Sequence, residues 1–226
     1  ISPTFFANSS TGNKYSLWVN VYGVSERYLN VYGEKDLRAQ MNQFFHRTYT
    51  HPVDGTTLDM KMLCNWYWYD ETAILETGKG TKDWNFYRYA ETLLSAAEAI
   101  AQSSGVNAEA AGYLAQVKAR ANMEGKDVST IASELQRLGK QAFIEECWKE
   151  RLREFPLEMK IWDDCVRTGK FPQISATNKG EVQFVDLIGA KNGSGATFKA
   201  TDLYWPIPVN EIQRNPNLTQ NEGYSA

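Results

Sequence analysis

The stretch from Asp83 to Lys170 constrains this chain most, because apolar residues recur there at helical spacing. Phe86, Ala90, Leu93, Ala97 and Ile100 fall on one helical face, which predicts a first helix opening at Asp83-Trp84-Asn85. Gly105 is a suitable left-handed stop, and Asn107 a good N-cap for a second helix. The stripe of that helix is Ala110, Leu114, Val117 and Ala121, and Asn122 and Gly125 mark its end. Ser129 can cap a third helix with a seam of Ile144, Trp148, Leu152 and Phe155. Glu145, Glu146, Lys149, Glu150, Arg153 and Glu154 are expected on its remaining surface, with Glu145/Lys149 at the supportive i,i+4 spacing. Pro156 ends or kinks that helix. A Trp and Leu stripe of this kind is core far more often than it is a site, so function has to be sought elsewhere.

The 226 residues suffice for one domain or a compact pair. The net charge of −3, without any Lys/Arg run, argues against nucleic acid as a partner. Cys64, Cys147 and Cys165 are odd in number and lack CxxC spacing, which argues against a disulfide framework or a zinc site; Cys147 reads as a small buried hydrophobe. Apolar runs stay too short to span a membrane. The chain begins Ile1-Ser2-Pro3 and reads as a piece of a longer protein.

Residues 1 to 82 are polar and rich in aromatics. Within them Glu34 to Arg38 suits the start of a short helix, and Thr50-His51-Pro52-Val53-Asp54-Gly55 signals a turn. Asn65-Trp66-Tyr67-Trp68-Tyr69 suits either an extended strand with rings on both faces or a ring-presenting loop. Gly78 to Thr81 is a linker. The first two long helices form an antiparallel hairpin, the unit of tetratricopeptide-like superhelices. Beyond Gly169, Val182, Phe184 and Leu187 suit a short strand, and Lys191 to Gly195 a turn. Pro206 and Pro208 fix an extended path, and Glu211-Ile212 suits one helical turn. Trp205, Ile207, Ile212 and Leu218 are expected to pin this tail against the helices, so that Trp205→Ala would cost several kcal/mol.

Three stretches resemble the SusD/RagB family. They are Arg88-Tyr89-Ala90-Glu91-Thr92-Leu93-Leu94 with Ala97-Glu98-Ala99; Glu150-Arg151 through Glu154-Phe155 and Glu158 to Trp162, Asp164, Arg167, Gly169 and Lys170; and Leu203-Tyr204-Trp205-Pro206-Ile207-Pro208 with Arg214 to Asn221 and Gly223-Tyr224. The resemblance covers residues 83 to 226 and matches residues 1 to 82 only loosely. Met159 and Ile161 stand where the family commonly has Gly and Arg, which removes a cation beside Glu158; Cys165 replaces a Leu. The resemblance implies a mainly α fold, a tetratricopeptide-like helical superhelix with loop-rich excursions and minor β. Residues 1–226 would be the C-terminal portion of such a protein: 1–82 a variable aromatic-rich segment, 83–170 the helical core and 171–226 an extended C-terminal segment. It further implies a Bacteroidetes lipoprotein of polysaccharide utilisation on the extracellular face of the outer membrane. Its N-terminal lipid anchor lies outside this chain. Such a protein captures oligosaccharide, or in some members peptide, and passes it to a SusC-type TonB-dependent porin for nutrient uptake. It is not catalytic and needs no cofactor.

Sugar capture needs exposed rings rimmed by amides, carboxylates and guanidinium groups. Trp18, Asn20, Tyr22, Tyr28, Trp66 and Trp68 are the candidate ligand contacts, although the same rings can instead pack the excursions onto the helices. Arg27 and Asn30 lie nearby in sequence. The acid pairs Glu145/Glu146, Asp70/Glu71 and Asp163/Asp164 offer no demonstrable carboxylate separation for glycoside hydrolysis, so an enzyme acting on glycans is the least favoured reading. His46 and His51 do not have helical metal-ligand spacing. The alternative in another class is a helical-repeat interaction module whose aromatics serve a protein partner.

Overall fold

The computed structural model describes residues 24–77, 80 and 82–225. Six α-helices are present among them: α1 (Tyr89–Ser104), α2 (Ala108–Ala119), α3 (Val128–Leu135), α4 (Lys140–Glu154), α5 (Ile161–Thr168) and α6 (Val209–Arg214). Two two-stranded sheets accompany them, β1 (Phe45–Thr50) with β2 (Thr57–Asn65), and β3 (Lys170–Ile174) with β4 (Val182–Asp186). The chain divides into two compact units. One comprises residues 1–159 and 174–182, the other residues 160–173 and 183–226.

In the first unit α1 packs on α2 and α4, and α2 on α3. The apolar stripes meet in one core, in which Leu94, Leu114, Phe143, Ile144 and Phe155 are buried. Each such side chain contributes about 1.5–3 kcal/mol through removal from water. Asn107 caps α2 as its sequence predicts, its Oδ1 accepting from Ala110 N at 2.9 Å. Gly105 ends α1 with φ +83°, a conformation that penalises a side chain. The α1 start differs from expectation: the helix begins at Tyr89, and Phe86 lies before it and is exposed. The expected third helix is two. Asp127, rather than Ser129, caps α3 by accepting from Thr130 N at 2.7 Å, and α4 restarts at Lys140 behind Gly139. Trp148 of the seam donates to the buried Glu98 at 2.9 Å. Cys147 is buried, as are Cys64 and Cys165.

The polar face of α4 overturns the expectation of a solvated surface. Glu150, Arg151, Arg153 and Glu154 are all buried, because the loop-rich segment before the helices folds onto that face. Within this segment a 3-10 helix, Glu26–Val31, lies against α4. Tyr28 Oη donates to Leu152 O at 2.5 Å, Tyr32 Oη to Arg153 O at 2.9 Å, and Arg153 Nε to Val31 O at 3.0 Å. Tyr32 meets Phe45 of β1 edge-on at 5.7 Å, which brings the hairpin into the same assembly. The β1–β2 turn falls at His51 to Thr56, where the sequence places it. The predicted short helix after Glu34 is a single 3-10 turn, Leu37–Ala39, capped by Asp36. The loop joining β3 to β4 belongs to this unit too: Arg27 Nε donates to Ile174 O at 2.8 Å and Asn30 Nδ2 to Ser175 O at 2.9 Å.

In the second unit Gly169 closes α5 in the left-handed conformation, φ +66°. Phe198 packs on Trp162 and Phe171 at 5.6 and 5.1 Å. The tail corrects a second expectation: Trp205 is 89% exposed, and Leu218 is exposed as well. Amide side chains fix the tail. Gln220 bridges Ile207 N and O at 2.8 and 2.9 Å, and Asn221 Nδ2 donates to Trp205 O at 2.7 Å. Tyr224 Oη donates toward Thr201 O and Tyr204 O, both at 2.9 Å. Gly223 passes so close to Thr201 that a Cβ there would collide with it. Truncating Trp205 therefore removes no core, and the several kcal/mol expected from the sequence do not apply.

Arg38, Lys118 and Arg153 surround Glu150 and hold its carboxyl down to about 2 from an ordinary 4.5, against the opposing effect of burial. Lys118 and Arg153 lower Glu146 as well, again against burial. A carboxylate depressed in the folded state stabilises it above the unfolded value and loses that contribution as pH falls toward the folded one. Unfolding free energy measured by urea titration is thus expected to fall between pH 4.5 and 2, with a shallower slope in Glu150→Gln. Equal slopes in the two proteins would contradict this assignment.

Candidate ligand site

The aromatic run Asn65 to Tyr69 is neither a strand nor an open loop. Asn65 Oδ1 accepts from Tyr67 N at 2.7 Å and turns Trp66–Trp68 into a 3-10 helix, which sends successive rings in different directions. Trp66 stacks with His46 at 3.9 Å and with Tyr69 at 4.7 Å, nearly parallel to both. Burial against these rings lowers the His46 pKa, with the hydrogen bond to Gln43 O opposing. Trp68 is buried; its Nε1 donates to Leu157 O at 3.3 Å, and Trp84 leans on it at 4.6 Å. Tyr67 points elsewhere, beneath the guanidinium of Arg88 at 5.6 Å, with Asn85 Nδ2 donating to its hydroxyl at 3.2 Å.

The three sequence candidates among the described residues, Tyr28, Trp66 and Trp68, do not converge on one site. Trp18, Asn20 and Tyr22 lie outside the described residues. Tyr28 spends its hydroxyl on Leu152 O, and burial pushes its pKa up. Trp66 and Trp68 share one turn but join different ring clusters.

What converges instead is a cleft of about 220 Å³ in the first unit, lined by Leu37, Arg38, Phe44, Tyr67, Arg88, Val117, Arg120, Ala121 and Glu154. Its polar wall is an ion network centred on Glu154. Glu154 Oε2 accepts from Arg38 at 3.0 Å, and Oε1 accepts from Arg88 at 3.0 Å and Arg120 at 2.8 Å. Arg88 also grips Glu158 bidentately, at 2.8 and 2.7 Å. Glu158 thus pairs with Arg88, from the start of α1, although Ile161 stands where the motif has a cation. Glu158 sits between Leu157 and Met159, both left-handed at φ +60° and +62°. Met159 occupies the position where the family motif has Gly, the residue that takes this conformation at no steric cost. The Arg88–Glu158 pair closes that strained turn.

A second cleft, about 350 Å³, is lined by charges that neutralise one another. Lys118 contacts Glu146 and Glu150, Arg153 the same two acids, and Lys126 contacts Glu124 and Glu134. Arg38 Nη2 lies 2.9 Å from Glu150 Oε1, a charge contact rather than an aligned hydrogen bond. With its charges committed to one another and no aromatic face, it offers a ligand less than the first cleft. Among the described residues, no group of three or more His, Cys, Asp or Glu side chains is placed to hold a metal ion.

Sequence reasoning named Tyr67 only as part of the aromatic run, and missed Phe44, Arg88, Arg120 and Glu154 as site residues. Arg88 and Glu154 lie within the family-like stretches; their convergence on Tyr67 is tertiary and leaves no local signal.

Removing Arg88 would leave the buried Glu158 without the cation that grips it, while Glu154 keeps Arg38 and Arg120. Arg88→Gln is expected to destabilise the chain by about 3 kcal/mol or more in urea titration. Arg88→Lys should recover only part of this, since an ammonium cannot span both carboxylate oxygens. Full recovery by Lys would contradict the bidentate account.

Comparison with known proteins agrees with this architecture. Over 138 residues, 61% of this chain and 21% of the relative, the sequence is 36% identical to starch-binding protein SusD of Bacteroides thetaiotaomicron. A crystal structure of a SusD superfamily protein from Parabacteroides distasonis ATCC 8503 matches with a TM-score of 0.80 and 30% identity, covering 98% of this chain and 46% of that one. The chain thus spans under half the length of either relative, and the mainly helical fold expected from the sequence stands. The SusD family model matches residues 10–224, and the chain belongs to that family.

Proposed function

We propose that this chain is part of a non-catalytic glycan-capture protein and that the Tyr67 cleft is its contact with sugar. The observation that carries the reading is the lining itself. Two half-buried rings, Phe44 and Tyr67, adjoin three guanidinium groups and a carboxylate. A ring offers an apolar face to the C–H face of a pyranose, and the fixed polar groups give its hydroxyls direction. Family membership and the starch-binding relative support the same ligand class. Trp66 remains a proposed contact, as do Trp18, Asn20 and Tyr22, which lie outside the described residues; Tyr28 and Trp68 act as braces. At the level of the whole protein, the reading extends to a lipid-anchored position on the outer face of the outer membrane and delivery to a SusC-type TonB-dependent porin.

One observation favours a second reading, an interaction surface. Trp84, Phe86, Tyr87 and Tyr89 form an exposed run at the entrance to α1, Phe86 and Tyr87 being 74% and 79% exposed. Clustered exposed rings are the kind of surface that protein partners cover.

Native mass spectrometry with a panel of oligosaccharides and short peptides, sampled over time, separates these readings. Capture predicts intact glycan complexes, weakened roughly tenfold by Tyr67→Ala. Shortened glycans would refute the non-catalytic reading. Complexes with peptide alone would move the ligand to the other class. Glycan complexes indifferent to Tyr67→Ala would remove the cleft as the site.

A further inference from the structure

The charge balance of the Tyr67 cleft says more about the ligand than its rings do. Arg38, Arg88 and Arg120 line it against one carboxylate, Glu154. Two of the three cations have further acids behind them: Arg38 contacts Asp36 and Glu150, and Arg88 contacts Glu158. Arg120 differs. Its recorded partner among the described residues is Glu154 Oε1, an oxygen it shares with Arg88. Its side chain is 58% exposed, so guanidinium donors remain open at the mouth of the cleft. A neutral sugar seated here would meet the open Arg120 donors with uncharged hydrogen bonds only. An anionic sugar would meet them with charge-assisted hydrogen bonds, and the planar guanidinium fork matches both carboxylate and sulfate oxygens.

Resting on the glycan-capture reading, we propose that the cleft takes an acidic glycan, one carrying a uronic carboxylate or a sulfate ester, with its charged group on Arg120 and its sugar ring against Tyr67. The inference departs from the neutral glucan in the name of the Bacteroides relative, because it follows from side chains lining this cleft.

The test is calorimetric titration of the chain with three probes: a neutral malto-oligosaccharide, an oligogalacturonate, and a sulfated carrageenan oligosaccharide, which carries no uronic acid. The proposal predicts that at least one acidic probe binds more tightly than the neutral one and that its affinity falls as salt is raised. It also predicts that Arg120→Gln weakens that probe roughly tenfold or more, and by clearly more than it weakens the neutral one. Arg38 and Arg88 still pair with Glu154 in the variant, so it should stay folded at the titration temperature, which circular dichroism checks. Preference between the oligogalacturonate and the sulfated probe tells carboxylate from sulfate recognition. Equal or tighter binding of the neutral probe, sensitive to Tyr67→Ala but not to Arg120→Gln, would overturn this inference and leave glycan capture standing. Absence of binding by all three would overturn both.

Discussion

Everything in the first unit depends on how one helix face manages buried charge. The polar face of α4 carries Glu146, Glu150, Arg153 and Glu154, and the last three are buried. Taking such groups from water costs several kcal/mol per ion, recovered only with close partners and further hydrogen bonds. The chain meets that condition from several directions. Arg38 arrives from the segment before the hairpin, Arg88 from the start of α1, Lys118 and Arg120 from the end of α2. A one-turn shift of α1 would take Arg88 from Glu158, and one of α4 would take Glu150 from Arg38 and Lys118. The apolar core on the opposite face, by contrast, would tolerate modest repacking.

The same network connects fold to function. Glu154 anchors three arginines and is at once a wall of the Tyr67 cleft. Arg88 holds the left-handed turn at Glu158 with one set of donors and passes over the Tyr67 ring. It also passes over the Phe155 ring at 4.9 Å, where α4 ends. In the proposed site these groups hold one another before ligand arrives, which would lower the ordering cost of binding. The cation that the network engages least, Arg120, lies where a ligand can reach it.

The sequence revealed those parts of the fold that rest on one-sided burial or on a local cap. The α1 and α2 stripes are legible because Ala90, Leu93, Ala97, Leu114 and Val117 repeat at helical spacing and all face the core. Asn107 is legible because a cap needs only its own neighbours. Periodicity failed for Glu150, Arg153 and Glu154, since a charge pattern looks alike whether it faces water or four basic residues from elsewhere in the chain. It failed for Trp66 to Trp68 because one side-chain cap, from Asn65, turns a strand-like run into a 3-10 helix. It failed for Trp205 because the tail is fixed by Gln220, Asn221 and Tyr224, leaving the large ring outside. The cleft was the least legible feature. Tyr67, Arg88, Arg120 and Glu154 come from four separate segments, and only the packing of the Trp66–Trp68 turn with α1, α2 and α4 brings them together.

The central claim is that ligand binds where the α4 ion network meets the Tyr67 ring. A crystal structure of the chain with a bound oligosaccharide tests it most directly. The account predicts a sugar ring against Tyr67 with a polar group of the ligand on the Arg120 guanidinium, and the Arg88 contacts to Glu154 and Glu158 unchanged from those described here. A sugar seated on the Trp66–His46 stack or on the exposed rings before α1, with the Tyr67 cleft empty, would contradict it.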